Sequence, residues 1–211
     1  MGQGLDTTPI ADNKYLEDQF YAGLSYNFLI DVPENVELRN LSYGIQFGFI
    51  EDIPLNTRRN FGIGLGMGYA TNSYYSNIGA REEAGLITYE VLSAEDFDRS
   101  KFETHSLDFP FEVRWRTSNA VDYKFWRIYT GFKVAYLFSR RSRTVSNGEV
   151  LSFSNRDIEQ WQYGLTLNFG YNTWNIHLYY SLNNLLSETA TLAGSTIPIK
   201  PLRVGIIFYI L

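Results

Sequence analysis

The stretch Ser106–Arg116, reading S-L-D-F-P-F-E-V-R-W-R, constrains the chain more than any other. Leu107, Phe109, Phe111, Val113 and Trp115 hold its odd positions, and Ser106, Asp108, Pro110, Glu112, Arg114 and Arg116 its even ones. Alternation this strict predicts a strand with one apolar and one charged face. A soluble sheet would bury the apolar face under a second layer. A membrane barrel would turn it to lipid and point the charges inward.

The same period recurs along the chain. Alternating segments lie at Gln19–Ile30, Leu41–Ile50, Phe61–Tyr69, Ser106–Arg116, Arg127–Ser139, Gln160–Tyr171, Asn175–Asn183 and Lys200–Leu211. That predicts eight strands, an even number, with no helical pattern competing for their faces. No apolar run reaches the roughly 18 residues that a membrane helix needs. Residues 1–18 are polar and aperiodic, which predicts an extended N-terminal tail ahead of one domain over 19–211. The opening Met-Gly-Gln-Gly is no secretory signal, so an exported form is expected to have lost its signal already. The long segment 70–104 is predicted to carry a hairpin extension at Gly85–Leu92 and a helical turn around Ser93–Arg99.

Five features favour the membrane barrel. Strands of about ten residues, tilted near 40°, cover roughly 25 Å of membrane. The face opposite the apolar one is rich in Gly, Ser, Asn and Gln; a water-facing sheet would carry Lys and Glu there. The connections also alternate, short after the second, fourth and sixth strands and longer after the others, as in outer-membrane barrels. Trp115, Trp126 and Trp174 fall at the short-turn end, where an aromatic girdle is expected. Aromatic residues make up 17% of the chain, which suits strands and membrane belts. The soluble alternative is a lipocalin-like barrel, whose outer face would then be unusually poor in charge.

Composition excludes some chemistry. There is no Cys, so disulfides and thiolate metal sites are out. The net charge of −5, with no basic stripe, argues against nucleic acid. Gly62, Gly64, Gly66 and Gly68 alternate with apolar residues inside a strand, which is the wrong setting for a nucleotide-binding loop. This strand should pair with Ser106–Arg116, laying the glycine row beside Asp108, Glu112 and Arg114. Asp96, Asp98 and Ser100 have calcium-loop spacing, but Lys101 and Leu107 stand where such a loop needs Gly and Glu. His105 and Ser106 are adjacent and face opposite ways, so they form no nucleophile–base pair. His105 and His177 are too separated for a metal site. No cofactor is expected.

Asp108, Glu112, Arg114, Lys133 and Arg203 point to the predicted lumen. Buried charges must be paired, and eight strands enclose little more than side chains. A luminal charge network that plugs the barrel is therefore expected rather than a solute path. Arg140, Arg141 and Arg143 cluster beyond the fifth strand, on the long-loop side. They are candidates for contact with lipid phosphates or a partner, or for pairing with acidic loop residues such as Glu82 and Glu95. Pro110 removes a ladder hydrogen bond, so a bulge is expected there.

Leu107-Asp-Phe-Pro110-Phe-Glu-Val-Arg114 is similar to the L-E-I-P-L-x-x-K strand of the PorT-like outer-membrane β-barrel family of Bacteroidota. The glycine-containing strand that follows, Tyr129-Thr-Gly131-Phe-Lys133, and the glycine-alternating strand before it also resemble that family. The C-terminal Arg203–Ile210 resembles the signal read by barrel-assembly machinery. The resemblance implies an eight-stranded barrel linked to type IX secretion and gliding, and supplies no catalytic residues.

The expected protein is all-β, an eight-stranded antiparallel up-and-down transmembrane β-barrel of the outer membrane with periplasmic termini. Its expected role is non-enzymatic, as an accessory or structural subunit of a protein-secretion complex. Its expected surroundings are outer-membrane lipid, lipopolysaccharide and protein partners, with no nucleic acid. The alternatives are a stand-alone small-solute pore or surface-binding protein, and a lipid-modifying enzyme, which would need a converging His and nucleophile.

Overall fold

The computed structural model describes residues 19–93, 95, 97–117 and 126–210; the expected tail over residues 1–18 lies outside them. The chain opens with β1 (Gln19–Ile30), β2 (Tyr43–Pro54) and β3 (Phe61–Ser76). A hairpin follows, β4 (Ile78–Glu83) and β5 (Leu86–Val91). Next come the long strands β6 (Arg99–Arg116) and β7 (Trp126–Ser146), and the short β8 (Glu149–Ser154). The rest is β9 (Trp161–Tyr171), β10 (Trp174–Ser181), the small hairpin β11 (Thr191–Leu192) and β12 (Ser195–Thr196), and β13 (Lys200–Ile210).

Eight of these close a ring in the order β1, β2, β3, β6, β7, β9, β10, β13 and back to β1. Every neighbouring pair in it is antiparallel. The expected eight-stranded up-and-down barrel is what forms. Its faces are inverted relative to a water-soluble barrel. Phe109, Phe111, Val113 and Trp115 are exposed on β6, while Asp108, Glu112, Arg114 and Arg116 between them are buried. Such a wall is stable only where its outside meets lipid.

The glycine row of β3 lies where expected, with Gly62 opposite Arg114, Gly64 opposite Glu112 and Gly68 opposite Asp108. Three other expectations need correction. The segment 70–104 is mostly strand: β3 continues to Ser76 and β6 starts at Arg99, with β4 and β5 between. Above the apolar band both faces meet polar surroundings, so the alternation that marks a strand is lost there while its backbone pairing continues. The hairpin turns at Ala84 and Gly85, both at positive φ (50° and 82°), a two-residue turn suited to the strand twist. Of the expected helical turn, Ala94 and Asp96 lie outside the described residues, Glu95 is in a turn, and Arg99 is already strand.

The bulge is not at Pro110. Leu65 pairs with Phe111 and Gly68 with Asp108 in one continuous register, so Pro110 interrupts the β3–β6 ladder without adding a residue. The proline ring lies over Gly66, where a Cβ would stand 3.2 Å from its Cγ. The bulge instead lies between β6 and β7: Ser106 pairs with Leu137 and His105 with Ser139, leaving Phe138 as the extra residue.

The long-loop end is sealed. Leu29, Tyr74, Phe102, Ile158, Leu185 and Ile199 form a buried apolar cluster there, which the hairpin joins through Ile78, Ala80 and Tyr89. The buried Tyr89 hydroxyl donates to Asp157 at 3.0 Å and accepts from the Asn155 amide at 3.0 Å. Asn155 also donates to Ser142 at 2.8 Å, tying the hairpin to β7.

Candidate functional site

The site with the greatest density of chemistry is the barrel interior, which is built in two tiers. In the lower tier, near the short turns, the Nε of Arg114 donates to Glu112 at 3.0 Å, and its Nη1 lies 3.7 Å from Asp52 and 3.2 Å from the Gln19 side-chain oxygen. Arg116 grips the other Asp52 oxygen at 2.6 Å. The second Glu112 oxygen accepts from Asn168 at 3.0 Å, and Asn168 in turn meets His177 Nδ1 at 2.6 Å. The guanidinium of Arg114 lies over Tyr129, 4.5 Å from the ring centre, which is a desolvated cation–π contact.

In the upper tier Lys133 lies 3.2 Å from Asp108 and donates to Gln46 at 2.7 Å. The other Asp108 oxygen accepts from Ser106 at 2.6 Å. Arg203 stands over the Tyr179 ring at 4.0 Å.

Glycines make room for these groups. A Cβ on Gly64 would meet Arg114 Nε at 2.6 Å, and one on Gly164 would run into the Tyr179 ring. Both large side chains lie flat against the wall in a notch that only glycine leaves open.

All five residues read from the sequence as luminal are buried. The structure brings them together as two pairs, Asp108 with Lys133 and Glu112 with Arg114, with Arg203 stacked separately. Asp52, Arg116, Arg127, Gln46, Asn168 and His177 were not counted in the luminal charge network, yet they too are buried. Their signal was parity: Asp52 lies on the same face as Gln46, and Arg127 on the same face as Lys133.

The Arg140–Arg143 cluster divides. The bulge at Phe138 reverses parity on β7, so Arg140 turns toward the loops and donates to the Ile158 carbonyl. Arg141 and Arg143 remain exposed on the outer wall.

The arrangement pairs charge with charge across and along the wall. His105 is held by the Tyr69 hydroxyl at 2.6 Å, while Ser106 faces the lumen and bonds Asp108. Among the described residues no cluster of three His, Asp or Glu could hold a metal. With charges locked across the interior and an apolar plug above, the purified protein should give no steady single-channel steps in planar bilayers. Stepwise conductance from the wild type would overturn the filled-lumen reading.

A family model described as outer membrane protein beta-barrel domain matches residues 3–187. No curated protein matches the chain. Among solved structures, it is similar to the attachment invasion locus protein Ail of Yersinia pestis at 12% identity and a TM-score of 0.39, covering 92% of this chain and 97% of that one. A second Ail structure, in complex with the heparin analogue sucrose octasulfate, matches at 12% identity and a TM-score of 0.40, covering 92% and 99%. A triple mutant of Rhodopseudomonas blastica porin matches at 6% identity and a TM-score of 0.22, covering 93% and 100%.

Proposed function

The chain belongs to the outer membrane protein beta-barrel domain family, and from that premise we propose that it is a non-enzymatic, partner-holding subunit of an envelope protein-secretion complex. The observation that carries this reading is the filled interior. Cross-lumen pairs such as Lys133–Gln46 and Arg114–Asp52 tie separate parts of the wall together in a barrel whose strand number leaves little room beyond side chains, so its surfaces are what remain to work with. The ordered β4–β5 hairpin and the loops it packs on make a shaped platform at one end. The PorT-like features of Leu107–Arg114 favour a type IX secretion machine of Bacteroidota as its setting. In this reading residues 19–211 are one domain. Both chain ends lie on the periplasmic side with the short turns, in keeping with Phe20 and Ile210 pairing at that end of the wall. The long loops then face outward, among lipopolysaccharide.

Deleting Glu82–Asp98 from a chain that still forms the folded barrel tests the platform. The proteins that co-purify from native outer membranes, identified by mass spectrometry, should be lost, and secretion with them. Unchanged complexes and secretion, with loss of uptake of a small solute, would give the case to a stand-alone pore or surface-binding protein.

A further inference from the structure

The outer face of β6 and β7 changes character at a single row. Up to Leu107, flanked by Tyr69 on β3 and Tyr136 on β7, the wall is apolar. From Trp115 to Leu107 that band spans nine residues, which at strand rise and a tilt near 40° is roughly 23 Å of membrane. The next outward positions on β6 are His105, Glu103, Lys101 and Arg99, and beside them on β7 stand Arg141 and Arg143. These side chains therefore lie at headgroup depth, directly above the lipid tails.

The charge there is not balanced. Glu103 is the one carboxylate among them. It ion-pairs with Lys101 and lies 3.5 Å from His105 Nε2. Arg99, Arg141 and Arg143 are exposed and have no carboxylate partner among the described residues. A groove of about 120 Å³ is lined by Tyr75, Arg99, Lys101, Arg143 and Val145. Lys101 lies over the Tyr75 ring at 5.6 Å, which holds its stem against the wall. On another part of the wall, by contrast, Lys200 is neutralised by Asp31 at 3.0 Å.

We propose that this patch binds the phosphate groups of an anionic glycolipid in the outer leaflet. Guanidinium forks match phosphate oxygens two at a time. Arg141 and Arg143, two residues apart on one strand, sit about 7 Å apart, close enough to engage one phosphorylated headgroup. The apolar band immediately below supplies the surface for the acyl chains of the same molecule. The inference rests on the long loops facing outward, and it holds whether or not the platform has a protein partner.

The test uses the full chain in phosphatidylcholine nanodiscs carrying a minor fraction of bisphosphorylated lipid A, with bound lipid counted by native mass spectrometry. Wild type should retain lipid A, and Arg141→Gln/Arg143→Gln should retain it about tenfold less tightly, the loss expected for removing charge-assisted contacts. Glu103→Gln, which removes the one carboxylate, should tighten retention. Dephosphorylated lipid A should bind wild type no better than the double variant binds lipid A. Heat-modified gel mobility confirms that each variant is folded. Equal retention by wild type and double variant would overturn the proposal, and so would displacement of lipid A by inorganic phosphate alone, which would assign the patch to a free anion.

Discussion

Replacing Arg114 by Met should cost the barrel about 3–5 kcal/mol, the range for stranding a buried carboxylate by deleting its partner. Arg114 is 1% exposed and serves Glu112, Asp52 and Gln19 at once. Asp52 would keep Arg116, and Glu112 would keep the Asn168 amide, but the guanidinium that neutralises Glu112 would be gone. Met roughly preserves the volume of the side chain, so the loss is of charge rather than packing. Urea unfolding of the protein folded into lipid vesicles measures it. Glu112→Gln in the same chain should restore a large part of the stability, because the stranded charge leaves with it. No recovery in the double variant would mean that the arginine acts by filling space.

Gly164→Leu should destabilise by about 3 kcal/mol for a different reason. The added side chain would occupy the space of the Tyr179 ring, and overpacking costs about 1–3 kcal/mol. Tyr179 cannot move without leaving Arg203, stacked 4.0 Å above it, and a desolvated cation–π contact is worth about 2 kcal/mol. Tyr179→Ala should also destabilise, through a cavity. Combined with Gly164→Leu it should do less harm than the sum of the two, because one residue vacates what the other fills. Strict additivity of the unfolding free energies would show that the two do not share that space.

How much of this was legible in the sequence depends on where lipid applies. Between Leu107 and Trp115 every second residue must tolerate hydrocarbon, so alternation is enforced and the strand can be read directly. The first strand, Gln19–Ile30, was read with the bounds it has. Beyond the band no such demand operates. Thr71–Ser76 carries polar and aromatic residues on both faces, so the upper part of β3 read as loop. Asp52 was missed because Glu51 and Asp52 together resemble a polar turn, although only Asp52 faces inward, in phase with Gln46. Arg140 could not be told from Arg141 and Arg143, because a single extra residue at Phe138 decides their sides and has no mark of its own in the sequence. The luminal pairings were legible as a requirement, from the need to neutralise buried charge. Their partners depend on which strands face each other across the ring, and alternation along one strand does not carry that.

The ring that pairs Phe20 with Ile210 also dictates the order of events in assembly. Neighbouring hairpins can zip as they form, but the seam between β1 and β13 joins the two ends of the domain and must come last. Glu112–Arg114 forms within β6 and Asp108–Lys133 between the adjacent β6 and β7, but other interior contacts span strands that are not neighbours: Arg114 and Arg116 on β6 with Asp52 on β2, and Lys133 on β7 with Gln46 on β2. An open, partly rolled sheet holds these groups apart. Until the seam closes, Asp52 on its concave side still needs water, and that part of the sheet cannot settle in hydrocarbon. Loop closure over so long a span adds little equilibrium cost but slows the search. Part of the reward for assembly, the contacts that reach from β2 to β6 and β7, is thus delivered only with the final step, which favours the closed barrel over half-rolled forms.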